Sequence, residues 1–118
     1  MNCAWLQNLT EYDCREVRAI GGAQAIEVST PFVMTGGAPI ALYLVDQGAH
    51  VLFSDNADTL ASLCAVGIDP FRSLAKLRRR VQRYGLTLTP EGAFEVLAKR
   101  EAAPMAFARA VSALLLVA

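Results

Sequence analysis

At 118 residues, 54% of them hydrophobic and 19% charged, the chain is long enough to bury a core as one domain and too apolar for a disordered segment. Its eleven basic and eleven acidic residues cancel, which removes any bulk attraction to nucleic acid or a membrane surface. No stretch reaches the roughly 18–20 apolar residues that crossing a bilayer requires; the nearest, 102–118, is interrupted by Arg109.

Residues 1–12 hold Asn2, Gln7, Asn8 and Glu11 and lack both a basic start and an apolar run, so no secretory leader is expected. Trp5, Leu6 and Leu9 have helical spacing and predict a first helix over 2–12. The period then becomes two, at 17–20 and again at Ile26, Val28, Thr30, Phe32 and Met34, with Gly21-Gly22 between them as a hairpin turn. Gly36-Gly37 marks another reversal. Residues 39–45 are apolar on both faces and predict a central strand covered twice. Asp46-Gln47-Gly48 turns the chain into a fourth strand at 49–53. Four strands with short connections predict an antiparallel meander.

Helical signals follow. Asp55 is read as an N-cap, with Asp58 three residues on and Leu60, Leu63 and Cys64 as an apolar stripe ending at Gly67. Asp69-Pro70 opens a second helix that runs to Tyr84 and stops at Gly85. Residues 86–89 and 93–98 flank Pro90-Glu91-Gly92 as a later hairpin, and Pro104 starts a final helix that is apolar nearly all round. The expectation is one α+β domain over 1–118. It has a mostly antiparallel sheet, a four-strand meander plus a later hairpin, packed with about four helices.

Charge is unevenly placed. Residues 72–83 carry Arg72, Lys76, Arg78, Arg79, Arg80 and Arg83 and no acid, while the rest of the chain has five basic against eleven acidic groups. At about 100° per residue, Phe71, Leu74, Leu77, Val81 and Tyr84 share the inward side, and Arg72, Lys76, Arg79 and Arg83 the outward one. Cations 3–4 residues apart repel by a few tenths of a kcal/mol per pair. The stripe is therefore read either as a solvated face or as a binding site for phosphates or an acidic protein. Arg78 projects near the apolar arc and calls for a carboxylate partner, with Asp55 and Asp58 as candidates for a structural ion pair. Those two aspartates also suit helix initiation, and no third acidic ligand stands at useful spacing. In the last helix Phe107, Val111, Leu114 and Leu115 are candidates for a homodimer seam.

Neither a metal nor a cofactor is called for. His50 is the single histidine, and the intervals of 11, 36 and 14 residues that separate Cys3, Cys14, His50 and Cys64 match no zinc motif. Neither Gly-Gly pair leads a helix as a phosphate loop does. Three cysteines without ligand-type pairing suit idle thiols in a reducing cytosol, so a cytoplasmic location is expected.

The run from Leu52-Phe53-Ser54-Asp55-Asn56-Ala57-Asp58-Thr59-Leu60 to Leu63 and Gly67-Ile68-Asp69 resembles a bacterial and prophage family, domain of unknown function 1828. Tyr12-Asp13-Cys14, Ser29-Thr30-Pro31-Phe32 and the apolar terminal helix are similar too. The resemblance implies an α+β fold and a phage or mobile-element setting, and brings no catalytic residue with it. Small proteins from that setting often act by binding, for instance as inhibitors of host defence. The first reading is a non-enzymatic protein that binds a macromolecular partner, a protein before a nucleic acid, with no membrane. The alternative is a nucleic-acid-binding accessory protein using the basic helix. A small hydrolase or nuclease on Asp55 and Asp58 is the third.

Overall fold

The structure is a computed structural model that describes residues 12–18, 24–34 and 36–117. The helix expected at 2–12 (Tyr12 apart), the Gly21-Gly22 turn and the Phe71 side chain lie outside what is described. Six strands form one antiparallel sheet: β1 (Asp13–Arg18), β2 (Gln24–Val33), β3 (Pro39–Gln47), β4 (His50–Ser54), β5 (Thr87–Leu88) and β6 (Phe94–Lys99). Their spatial order is β1-β2-β3-β4-β6-β5. The later hairpin completes this sheet: β6 pairs directly with β4, and β5 lies outermost. Three α-helices stand among the described residues rather than about four: α1 (Asp58–Ala65), α2 (Leu74–Gln82) and α3 (Ala103–Val117). No helix among them is long and apolar enough to cross a membrane.

Alternation decides which face of the sheet is buried. Ile26 and Val28 on β2, Ile40, Leu42 and Leu44 on β3, and Val51 and Phe53 on β4 are all nearly inaccessible. Pairing of Ile26 with Leu44 and of Leu44 with Phe53 puts them on one side. Leu60 and Leu63 of α1, Val81 of α2, and Phe107, Ala110, Val111 and Leu114 of α3 cover that side. Each fully buried large side chain contributes about 1.5–3 kcal/mol. The Phe107 ring lies 6.5 Å from that of Phe53, a tilted pair at the centre of the core. The strand expected to be covered twice is covered once: Ala41, Tyr43 and Val45, between the buried positions of β3, are only half-buried.

The outer face carries a polar row across the sheet, Arg15, Glu27, Tyr43, Ser54 and Glu95, set by the pairing register. Arg15 reaches Glu27 at 2.9 Å, an exposed pair worth about 0–1 kcal/mol. The Tyr43 phenol also donates to Glu27, and this hydrogen bond, with burial, raises its pKa from 10.0 to about 12. A folded pKa above the unfolded one stabilises the fold fully below pH 10, and that contribution is lost as pH rises through 12. Absorbance titration at 295 nm is expected to show Tyr43 ionising near pH 12, by comparison with Tyr43→Phe. Ionisation at 10 would mean that the Glu27 bond is not made.

Two local devices shape the connections. Between β2 and β3 the register shifts after Ser29, and the Thr30 hydroxyl fills the irregularity by donating to the Ile40 carbonyl at 2.8 Å. At the β3–β4 turn, Gly48 adopts a φ of 76° that favours glycine, and its amide donates to Asp46 at 3.0 Å. Arg100 braces the same turn, bonding the Gly48 carbonyl at 2.9 Å and pairing with Asp46. The Gly48 amide first, and Arg100 after it, hold the Asp46 carboxyl below its ordinary pKa.

The idle-thiol expectation is corrected at Cys14, which is disulfide-bonded, while Cys64 is free and exposed. A disulfide removes the cysteine argument for a reducing compartment.

Candidate functional site: a basic concavity on α2 and the groove beside it

Helix α2 is preceded by a 3-10 turn over Pro70–Ser73 and followed by a turn at Arg83–Gly85, where Gly85 takes a φ of 80°. The inward face is as the spacing predicts: Val81 is buried, and Leu74, Leu77 and Tyr84 pack against the core. The outward face differs in one respect. Arg72 sits in the 3-10 turn, with its Nε 3.9 Å from Asp69, outside the helix proper. Arg80 takes its place: Lys76, Arg79, Arg80 and Arg83 line a shallow concavity of about 290 Å³. All four are exposed, and no acidic residue contributes to the lining. Arg79 and Arg80 lie in the last turn, where the helix dipole offsets part of their mutual repulsion.

The ion pair expected between Arg78 and Asp55 or Asp58 does not form. Arg78 Nε donates instead to the Leu88 carbonyl at 3.2 Å, tying α2 to β5. A backbone acceptor suffices because Arg78 is only half-buried and its charge is not stripped of water as a fully buried one would be. Asp55 is fully buried, and backbone amides occupy its carboxylate. Its Oδ1 accepts from Ala57 at 3.0 Å and Phe94 at 2.8 Å, and its Oδ2 accepts from Thr59 at 3.1 Å.

Asp55 is therefore not the N-cap residue of α1; it reaches that helix from two residues upstream. Ala57 is the cap residue, with a left-handed φ of 63° that costs an L-residue about 1–2 kcal/mol. Ala57→Gly is expected to stabilise the fold by about 0.5–1 kcal/mol, read from denaturant midpoints. No gain would mean that the turn relaxes in solution. Asp58 stays exposed; partial burial first, and the Asp55 and Glu27 charges after it, raise its pKa.

The dimer seam read from α3 is also revised. Phe107, Val111 and Leu114 are buried against the chain's own sheet, 6%, 5% and 0% exposed, and leave Leu115 alone of the four at the surface. The helix looked apolar all round because its outer side carries Met105, Leu115 and Leu116 beside Arg109 and Ser112.

A second concavity was not read from the sequence. A groove of about 190 Å³ is lined by Tyr84 and Gly85 after α2, Val96 and Ala98 of β6, and Ala102, Met105, Ala106 and Arg109 at α3. Its first lining residue, Tyr84, directly follows Arg83 of the basic concavity in sequence. The available signal was the brevity of the strand after Gly85, which leaves β6 longer than its outer neighbour.

The sequence model of domain of unknown function DUF1828 matches residues 30–117, from the end of β2 through α3. This chain belongs to the DUF1828 family. The DUF1828 match takes in the Asp55 brace, the basic helix, the groove and the whole of β6. No curated protein and no solved structure matches the chain at a significant level.

Proposed function

We propose that this DUF1828 chain is a non-enzymatic interaction protein that binds an acidic surface of a protein partner through Lys76, Arg79, Arg80 and Arg83. The supporting observation is the concavity itself: four exposed cations and no lining acid. Desolvated opposite charge relieves the repulsion within such a cluster and steers encounter. A nucleic acid is the less favourable occupant, since no aromatic residue is interleaved among the cations of 72–83 for bases to stack on. A prophage setting, with a host defence protein as the partner, belongs to the same proposal and rests on the family's implication alone.

Binding of the purified chain to poly-L-glutamate, duplex DNA and single-stranded DNA and RNA at about 50 mM salt separates the partner classes. Saturable binding to poly-L-glutamate is expected, weakened at least tenfold by the double substitution Arg79→Glu/Arg83→Glu. These sites are exposed, so the variant should fold. Failure to bind poly-L-glutamate, or indifference to the substitutions, would overturn the proposal. Tighter binding to nucleic acid with a steep salt slope would replace it with the nucleic-acid reading.

A further inference from the structure

The open edge of β6 and the groove beside it add a feature that charge alone does not supply. In an antiparallel ladder, alternate residues direct both backbone groups to one neighbour. Asp55 N–H donates to the Phe94 carbonyl and Arg100 N–H to the Ala49 carbonyl, with Val51 opposite Ala98 and Phe53 opposite Val96. Phe94, Val96, Ala98 and Arg100 therefore face β4, while Glu95, Leu97 and Lys99 face the other way. Glu95 is matched by Thr87 of β5. Beyond it β5 ends, because Leu86 N–H turns back to Val81 and Gly85 N–H to Gln82. Leu97 and Lys99 are left with outward backbone groups and no ladder partner among the described strands. On the helix side of this edge, the side chains of Val96 and Ala98 floor the apolar groove, under Met105 and Ala106. Met105 and Leu97 are 63% and 55% exposed.

Charge selects the occupant. Arg109 is the one charged residue lining the groove, Lys99 stands on the edge, and Arg83 of the basic concavity is the sequence neighbour of the groove residue Tyr84. A lysine on an open edge commonly guards against self-pairing. A second copy adding here would bring two sets of Lys99, Arg109 and Arg83 to one seam, which like charge disfavours. An acidic extended segment meets no such penalty.

We infer that the partner presents an acidic segment in extended form, adding to the β6 edge at Leu97 and Lys99 with one apolar side chain in the groove and its carboxylates against Arg83 and Arg80. This deepens the acidic-partner reading and rests on it. Backbone hydrogen bonds provide the hold and the groove provides side-chain selection, as in strand addition generally.

The test uses synthetic fluorescent peptides on the full chain: a glutamate-rich peptide with a central leucine, the same with serine at the centre, and the leucine peptide N-methylated on alternate amides. The leucine peptide is expected to bind at least about tenfold tighter than the serine and N-methylated ones. Met105→Glu, an exposed site, should remove the advantage of the leucine peptide over the serine peptide. Equal binding of all three peptides would overturn the inference and leave the charge reading standing. Loss of the leucine peptide's advantage only on methylation, and not with Met105→Glu, would overturn the groove assignment. Absence of binding to any peptide and to poly-L-glutamate would remove both readings together.

Discussion

Asp55→Ala is expected to destabilise the fold by about 3–5 kcal/mol, measured by urea unfolding. The side chain is 0% exposed and accepts from three backbone amides, of Ala57, Thr59 and Phe94. A hydrogen bond to a charged group is worth about 1.5–3 kcal/mol, and the three are not additive because they share one carboxylate. Truncation also leaves those donors without the acceptor that allowed them to be buried. Asp55→Asn should cost less, since its carbonyl oxygen can keep two of the amides while its NH₂ faces a third donor. A loss below about 1 kcal/mol for the alanine variant would show that the brace is dispensable. The aspartate would then be free for the acid–base role that the sequence left open.

Leu114→Ala should cost about 2–5 kcal/mol, and Leu115→Ala within about 0.5 kcal/mol of nothing. The two neighbours differ in burial, at 0% and 42% exposed. Leu114 lies in the cluster with Phe53, Phe107 and Val111, so its truncation leaves a cavity that a packed sheet and helix collapse only in part. The loss should not change with protein concentration, because the missing contacts lie within one chain. Were Leu114 part of a dimer seam, apparent stability would rise with concentration, and the variant's deficit would change with it. A concentration-dependent deficit would restore the seam that burial argues against.

Strand and helix periods were legible because local pattern decides them. The alternation from Ile26 to Thr30 and the arc Leu74, Leu77 and Val81 each point to the face they occupy. What local pattern does not contain is which distant strand joins β4, and that choice placed β6 beside it. The same limit explains Asp55. A residue two places before the cap is braced by Phe94, 39 positions on, a partner no spacing rule reaches. Arg78 departs from the expected ion pair because a guanidinium turned inward has two kinds of acceptor, and the carbonyl of Leu88 is within reach. Arg80 lies outside the stripe that wheel geometry defines, because the wheel gives directions but not curvature, and the concavity gathers it with Lys76, Arg79 and Arg83. For α3, composition gave the apolar content, while only the sheet beneath it selected Leu114 over Leu115.

The ladder between β4 and β6 has a kinetic side. Strands β2 to β4 join through short turns, whereas the Asp55–Phe94 contact closes a loop of 39 residues that carries α1, α2 and β5. Loop closure on that scale costs about 3 kcal/mol of chain entropy, which the meander does not incur. The meander is thus the natural nucleus, and the excursion with the charged helix assembles late and opens early. Sequence change on α2 should alter how quickly the chain unravels far more than how quickly it forms, so its outward side chains are free to vary without slowing folding.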